Sequence, residues 1–267
     1  METITLRSVT VMPAVGFGTW TLRGEACAEA VKTALLCGYR LIDTAQMYRN
    51  EDAVGEGLRR AGIDRHSLFL TTKVCAPSDS YEGTKKQIET ALRRLGTDYI
   101  DLFLIHEPYR DAPAMYRAMK EARAEGKIRS LGISNFSAAE MEAFIHETGE
   151  VPAVNQAEAH VFYPHRTLAA ACAARGICMQ AWSPLAEGQH GLFTNETLAA
   201  IGRRLGRTPA QIALRYLLQL GIPVIPKAAR EAHMKENLAV SDFTLTPEDM
   251  DAIARLDGGR SFFGWYD

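Results

Sequence analysis

Apolar positions along this chain follow two alternating rhythms. Short runs rich in Val, Ile, Leu and Phe alternate with longer stretches whose apolar residues recur every three or four positions, the signatures of strand and amphipathic helix. The strand-like runs fall at 15–18, 40–42, 68–73, 100–106, 128–133, 153–158, 178–181 and 224–226. The helix-like stretches fall at 25–37, 51–61, 81–95, 113–125, 138–146, 166–175, 195–220 and 231–238. Gly206-Arg207-Thr208-Pro209 stops and restarts the helical pattern, which predicts two helices within 195–220. Two more elements lie outside the repeat: an amino-terminal hairpin with strands at 4–6 and 10–12, and a carboxy-terminal helix opened by Thr246-Pro247-Glu248-Asp249.

The second to seventh strands begin 25 to 32 residues apart, which leaves room for one helix each and for no interdomain linker. Eight such units predict an α/β fold: a (β/α)8 TIM barrel with an N-terminal β-hairpin and extra C-terminal helices, one domain over residues 1–267. Barrels of this kind run to about 250 residues and carry function at the carboxy-terminal ends of their strands.

Composition then removes several classes of partner. The 30 basic and 32 acidic residues leave a net charge of −2, with no cationic surplus for nucleic-acid backbones or anionic membranes. The apolar run at 100–105 is interrupted by Asp101 and falls far short of the roughly 20 residues that span a bilayer. The opening METITLRS has no signal-peptide core, so a cytoplasmic location is expected. Five cysteines without a C-x-x-C argue against a disulfide framework and a structural zinc site. Glu158, His160 and His165 are the one group that suggests a metal, and none is expected there.

At the expected strand ends stand Asp43, Lys73, His106, Ser134 with Asn135, Gln156, Trp182 and Lys227, and Tyr48 follows in the second βα loop. Such groups are costly to bury singly, which predicts that they pair. Each alone has an ordinary explanation: Asp43 as a helix cap, Lys73 as its ion-pair partner, Tyr48 as a loop aromatic, His106 as a structural histidine. Together they suit proton donation to a carbonyl oxygen. A phenol has a pKa of about 10, and the Lys73 ammonium is expected to lower it by stabilising the phenolate. Asp43 would hold Lys73 charged and in place, and His106 would orient the carbonyl oxygen against the Tyr48 hydroxyl. A deprotonated Lys73 could instead attack a carbonyl covalently, a use that Asp43 opposes by favouring the ammonium.

These residues, and the segments that hold them, resemble the aldo-keto reductase superfamily, in particular its short prokaryotic members similar to diketogluconate reductases. The resemblance runs through MPAVGFGTW (12–20), GYRLIDTAQMYRNEDAVGEGL (38–58), LFLTTKV (68–74), LGTDYIDLFLIHEP (95–108), GKIRSLGISNF (126–136) and VNQAEAH (154–160), to the helix ending at Asn237. It implies a catalytic tetrad of Asp43, Tyr48, Lys73 and His106. It further implies NAD(P)H-dependent reduction of aldehydes and ketones, keto sugars and α-dicarbonyls among them, with hydride from the nicotinamide and a proton from Tyr48. A family barrel that holds the cofactor only as a sensor is the competing use, and the complete tetrad argues against it.

Gly16-Phe17-Gly18 is followed by Thr19-Trp20-Thr21, so no G-x-G-x-x-G is present. The resemblance implies instead an extended dinucleotide across the barrel mouth, with Ser134, Asn135 and Gln156 at its carboxamide and Trp182 as the platform for its ring. Thr19, Trp20, Asp43, Ser183, Leu185, Lys227, His233, Glu236 and Asn237 are its further expected contacts, while Trp20, Tyr48, His106 and Glu107 would meet the substrate. Relatives that prefer NADPH carry Ser where Ala228 stands and Arg where His233 stands. Losing a hydroxyl and a permanently charged fork removes phosphate-binding energy, so NADPH is expected with a smaller advantage over NADH, Lys227 remaining as a cation and Arg230 beside it. Glu107 replaces a Trp found in many members and predicts a wetter mouth, walled by Phe17, Trp20, Phe262, Phe263 and Trp265. Cys75 is either an oxidisable thiol near the mouth or a buried structural one. A small-molecule carbonyl is the expected partner and a monomer the expected state.

Overall fold

The computed structural model describes residues 2–264. Strands β1 (Thr3–Thr5) and β2 (Val11–Pro13) form the antiparallel hairpin, close to the expected bounds. Seven strands then pair in parallel and in chain order: β3 (Phe17–Gly18), β4 (Leu41–Asp43), β5 (Phe69–Val74), β6 (Ile100–Ile105), β7 (Ile128–Ser134), β8 (Val154–Glu158) and β9 (Cys178–Trp182). The expected eighth strand at 224–226 is reduced among the described residues to parallel bridges from Val224 to Val15 and to Ala181. Pro223 precedes it and Pro226 ends it, and a residue without an N–H cannot continue a ladder. The ring closes nonetheless: Val224 N–H donates to Ala14 O at 2.9 Å, Gly16 N–H to Val224 O at 2.8 Å, and Ala181 N–H to Pro223 O at 2.8 Å.

Helices α1 (Gly24–Cys37), α2 (Glu51–Ala61), α3 (Tyr81–Leu95), α4 (Ala112–Ala124), α5 (Ala138–Thr148) and α6 (Arg166–Ala174) follow β3 to β8 in turn. The expected break at 206–209 separates α7 (Glu196–Leu205) from α8 (Pro209–Gln219), and α9 (Glu231–Leu238) and α10 (Pro247–Ala254) complete the chain. Thr208 with Gln211 and Thr246 with Asp249 form reciprocal caps at the starts of α8 and α10, each with Pro at the first helical position. Among the described residues no helix is long and apolar enough to cross a membrane.

Two apolar layers hold the ring. Outward-facing strand residues such as Phe103, Ile105, Leu131 and Ile133 pack against the helices. Inward-facing Leu41, Phe69, Leu102, Leu104, Val154 and Ile225 fill the barrel, and Leu6 and Met12 of the hairpin segment close its lower end. Burial on both faces explains the unbroken apolar runs of the central strands. The lower half of the barrel is therefore sealed, and the strand ends at the opposite face are left to the polar residues.

Gly18 lies against the closing segment: a methyl group there would stand 2.7 Å from the Ile225 carbonyl oxygen. Gly18→Ala is expected to force the ring apart at this point and to lower stability by about 1–3 kcal/mol, read as a lower urea midpoint; an unchanged midpoint would show that the closure yields freely.

Candidate active site

Register brings the strand-end groups together. Asp43 closes β4, Lys73 lies one residue from the end of β5, and His106 follows β6. Tyr48 reaches them from a single 3-10 turn at Gln46–Tyr48. Two residues that sequence reasoning did not single out lock this turn. Gln46 accepts from Cys75 N–H at 3.0 Å and donates to Ser78 Oγ at 2.8 Å. Buried Asn50 donates to Thr19 O and Leu22 O, both at 3.0 Å, and accepts from Thr44 Oγ1 at 2.7 Å. Both act through loop conformation, which leaves no periodic trace in the chain.

At the centre, the buried Lys73 ammonium spends its three hydrogens on Asp43 Oδ1 at 2.6 Å, Thr44 O at 3.0 Å and Tyr48 Oη at 3.4 Å. The other Asp43 oxygen accepts from Gln156 Nε2 at 2.7 Å, and Gln156 also donates to Gln180 Oε1 at 2.8 Å. The Tyr48 ring stands 4.8 Å from Trp20 and 5.8 Å, edge-on, from His106.

The charges settle accordingly. Burial disfavours the Lys73 ammonium, but Asp43 and the Tyr48 oxygen outweigh it and hold its pKa above the ordinary value. Lys73 is thus a cation, which removes the covalent-amine reading. Tyr48 differs from expectation. Burial raises its pKa more than Lys73 lowers it, so the phenol stays protonated. His106 is pushed down to about 3 by burial and by Lys73, so its imidazole is neutral, and its Nδ1 has no hydrogen-bond partner among the described residues.

Asp43, Tyr48 and His106 open into a cavity of about 710 Å³, which Thr19, Trp20, Ser134, Asn135, Gln156, Trp182, Ser183, Leu185 and Lys227 also line. Lys73 sits behind its wall. Asn135 Nδ2 donates to His106 O at 3.0 Å while its Oδ1 accepts from Trp182 Nε1 at 2.7 Å, which fixes the indole plane on the wall. Ser134 Oγ donates to Gln156 O at 2.9 Å.

Other expected residues lie elsewhere. Glu107 does not line the cavity; it is half-buried beside Tyr109 and Cys75, and burial raises its pKa. The wetter mouth expected from Glu107 therefore does not arise from that side chain. Phe17 packs edge-on against Tyr39 in the core, Phe263 does line the cavity, and Trp265 lies outside the described residues. Cys75 is buried with its thiol pushed up to about 11, a structural thiol. His233, Glu236 and Asn237 sit on α9, away from the cavity lining; Glu236 accepts from Thr208 Oγ1, and Asn237 is buried. Met47, Glu187 and Phe193 line the cavity without a signal in the sequence, because each projects from a loop.

The barrel mouth thus brings a protonated phenol, a buried ammonium–carboxylate pair and a neutral imidazole to one open cavity. Residues 14–257 match the Aldo/keto reductase family, and the chain belongs to it. It is 38% identical to methylglyoxal reductase DkgA of Escherichia coli (96% of this chain, 94% of that protein) and 40% identical to glyoxal reductase of Bacillus subtilis (96% and 93%). An aldo/keto reductase structure from Brucella melitensis aligns with a TM-score of 0.93 at 39% identity (96% and 98%). That of an aldo-keto reductase from Bombyx mori in complex with NADP aligns at 0.91 and 30% (97% and 94%). The chain is an NAD(P)H-dependent oxidoreductase.

The neutral state of His106 has a consequence for stability. In the unfolded chain the imidazole takes a proton near pH 6.5, so between that pH and about 3 the unfolded state binds a proton that the folded state refuses, and stability falls as pH falls. Urea unfolding at pH 6 and pH 4 should show His106→Gln losing on the order of 2 kcal/mol less than the parent; equal losses would mean that His106 is protonated in the fold.

Proposed function

We propose that this chain reduces small aldehydes and ketones, α-dicarbonyls and keto sugars among them, with Tyr48 as the proton donor. The observation that carries this reading is the Lys73 ammonium, which reaches Tyr48 Oη while fixed by Asp43 and Thr44. When bound, the reduced nicotinamide would supply a hydride, a proton with two electrons, to the carbonyl carbon. Neutral His106 and the Tyr48 hydroxyl converge on the carbonyl oxygen, and Tyr48 gives its proton to that oxygen as the C=O double bond becomes single. The phenolate left behind stands beside Lys73, whose positive charge stabilises it until water returns the proton. The alcohol then leaves. The names of the methylglyoxal and glyoxal reductases support α-dicarbonyls as a substrate class.

The cleft fits a nicotinamide dinucleotide. Buried Ser134, Asn135 and Gln156 stand together at one end of it, and the Gln156 Oε1 makes no hydrogen bond among the described residues and would accept from a carboxamide. Trp182 would stack on the ring. Lys227 lies on the same wall, and beyond it the Arg230 guanidinium rests 3.1 Å from His233 Nε2. Lys227 and Arg230 would hold a 2′-phosphate, with Glu236 and Asn237 beside the adenine. Ala228 offers no hydroxyl, so NADPH is preferred by less than it is where both Ser and Arg are present, and NADH is also accepted. The enzyme works as a monomer in the cytoplasm.

Tyr48→Phe is expected to abolish carbonyl reduction while leaving the NADPH dissociation constant, read by fluorescence quenching, within about twofold of the parent, since the hydroxyl is worth little to the dinucleotide. A variant that keeps most of its rate would assign the proton to another acid. Arg230→Ala is expected to weaken NADP+ binding about tenfold and NAD+ binding hardly at all, the worth of one charge-assisted hydrogen bond; equal effects on both would remove Arg230 from the phosphate site.

A further inference from the structure

Glu158 ends β8 fully buried and takes no part in the bonding around Tyr48. Its carboxylate nevertheless accepts three hydrogen bonds. Oε1 accepts from His160 Nε2 at 3.1 Å and from the Phe262 backbone N–H at 2.8 Å, and Oε2 accepts from Ser261 Oγ at 2.6 Å. Burial alone would raise its pKa, yet these donors hold it below the ordinary carboxylate value, so the contact is made on a charge. Two of the three donors belong to the carboxy-terminal tail, more than 100 residues away along the chain.

The position of that charge matters for the cavity. Strand register places Glu158 directly beside Trp182 of β9. The tail, fastened at Ser261, lays Phe263 against Trp182 with ring centroids 5.3 Å apart, and both rings line the cavity. Phe262 stacks on His190 at 3.8 Å and on His160 at 4.6 Å. His190 belongs to the loop after β9, which brings Leu185, Glu187 and Phe193 to the same cavity. Ser183, Ala186, Glu187 and His190 in this loop have φ between +47° and +52°, a conformation that residues with a side chain hold only when their surroundings impose it. The tail is one of those surroundings.

We propose that Glu158 is a positioning residue: by fastening Ser261 and Phe262 to the barrel it holds Phe263 against Trp182 and braces the 183–195 loop through His190, and so sets the apolar wall against which the carbonyl substrate binds. The role in substrate binding rests on the reductase reading above; the fastening does not. Proton transfer is untouched by it, since Tyr48, Lys73 and His106 are held by other bonds, and the plane of Trp182 is fixed separately by its bond to Asn135.

The test compares the parent chain with Glu158→Gln, which removes the charge and keeps the shape, and with Ser261→Ala, which removes the hydroxyl that donates to Glu158 and accepts from the Phe263 N–H and leaves the barrel intact. In both variants KM for methylglyoxal is expected to rise about tenfold with kcat within about twofold, the loss of one charge-assisted bond expressed in binding alone. Exposed Arg260 precedes Ser261, so trypsin cleavage after it, followed by intact mass, reports release of the tail without any substrate. Cleavage about tenfold faster in both variants is expected, on the same energetic ground. Unchanged cleavage in both overturns the fastening. Faster cleavage with unchanged KM, or with kcat falling instead, overturns the role in substrate binding. Faster cleavage in a protein whose parent reduces no carbonyl supports the fastening and overturns the reductase reading alone.

Discussion

Two opposite charges, Lys73 and Asp43, sit at 1% exposure in contact at 2.6 Å, and the mouth of the barrel is organised around them. Desolvating such a pair is costly unless every remaining hydrogen and lone pair is used. Here they are used. The ammonium has a carboxylate, a carbonyl and a phenol, and the carboxylate has the ammonium and an amide. That accounting draws in Gln156, which draws in Gln180, so that residues from β4, β5, β8 and β9 form one network across the barrel axis. Removing either charge would leave the other buried without a counterpart, so the arrangement that places an ammonium beside Tyr48 is also one the fold cannot easily give up.

The same network divides the barrel into two chemical halves. Below it, Leu41, Phe69, Leu102, Leu104 and Val154 pack with Met12 as an ordinary apolar interior. Above it, Thr19, Ser134, Asn135 and Trp182 present hydroxyl, amide and indole groups to an open cavity. Stability is drawn mainly from the first half and from the helix layer. The second half is thereby free to keep His106 uncharged and Tyr48 protonated, states set by burial rather than by bulk pH.

Much of this was legible from residue order, and the parts that were not share a cause. Strand ends are where an unbroken apolar run stops, so Asp43 and His106 announce themselves by ending such runs, and Lys73 and Gln156 stand at the matching place in their units. The hairpin, the break at Gly206 and the cap at Thr246 are local signals and appear close to where they were expected. The last strand is reduced to bridges because Pro223 and Pro226, visible in the chain, leave only Val224 and Ile225 with an N–H to give a ladder, a cue that the apolar character of the run outweighed. Glu107 follows a site residue in the chain yet faces away from the cavity, since adjacent residues at a strand end point in opposite directions. The direction of the Tyr48 shift turned on how deeply the hydroxyl is enclosed, a quantity no spacing contains. Gln46, Asn50 and the tail contacts of Glu158 depend on loop paths and on pairs separated by up to 104 residues, and nothing in a linear pattern marks such partners.

The closure of the ring at Val224 links the first strand to a segment more than 200 residues later in the chain. Contacts so distant carry a large loop-closure entropy and are reached late on any folding route that begins with neighbouring units. Gly18 on one side of this junction and Ile225, Pro226 and Lys227 on the other all face the same cavity. An occupant that touches both lips binds the joined state in preference, so by mass action its concentration adds to the apparent stability of the whole barrel. Occupancy of the mouth and integrity of the ring are in this sense a single equilibrium.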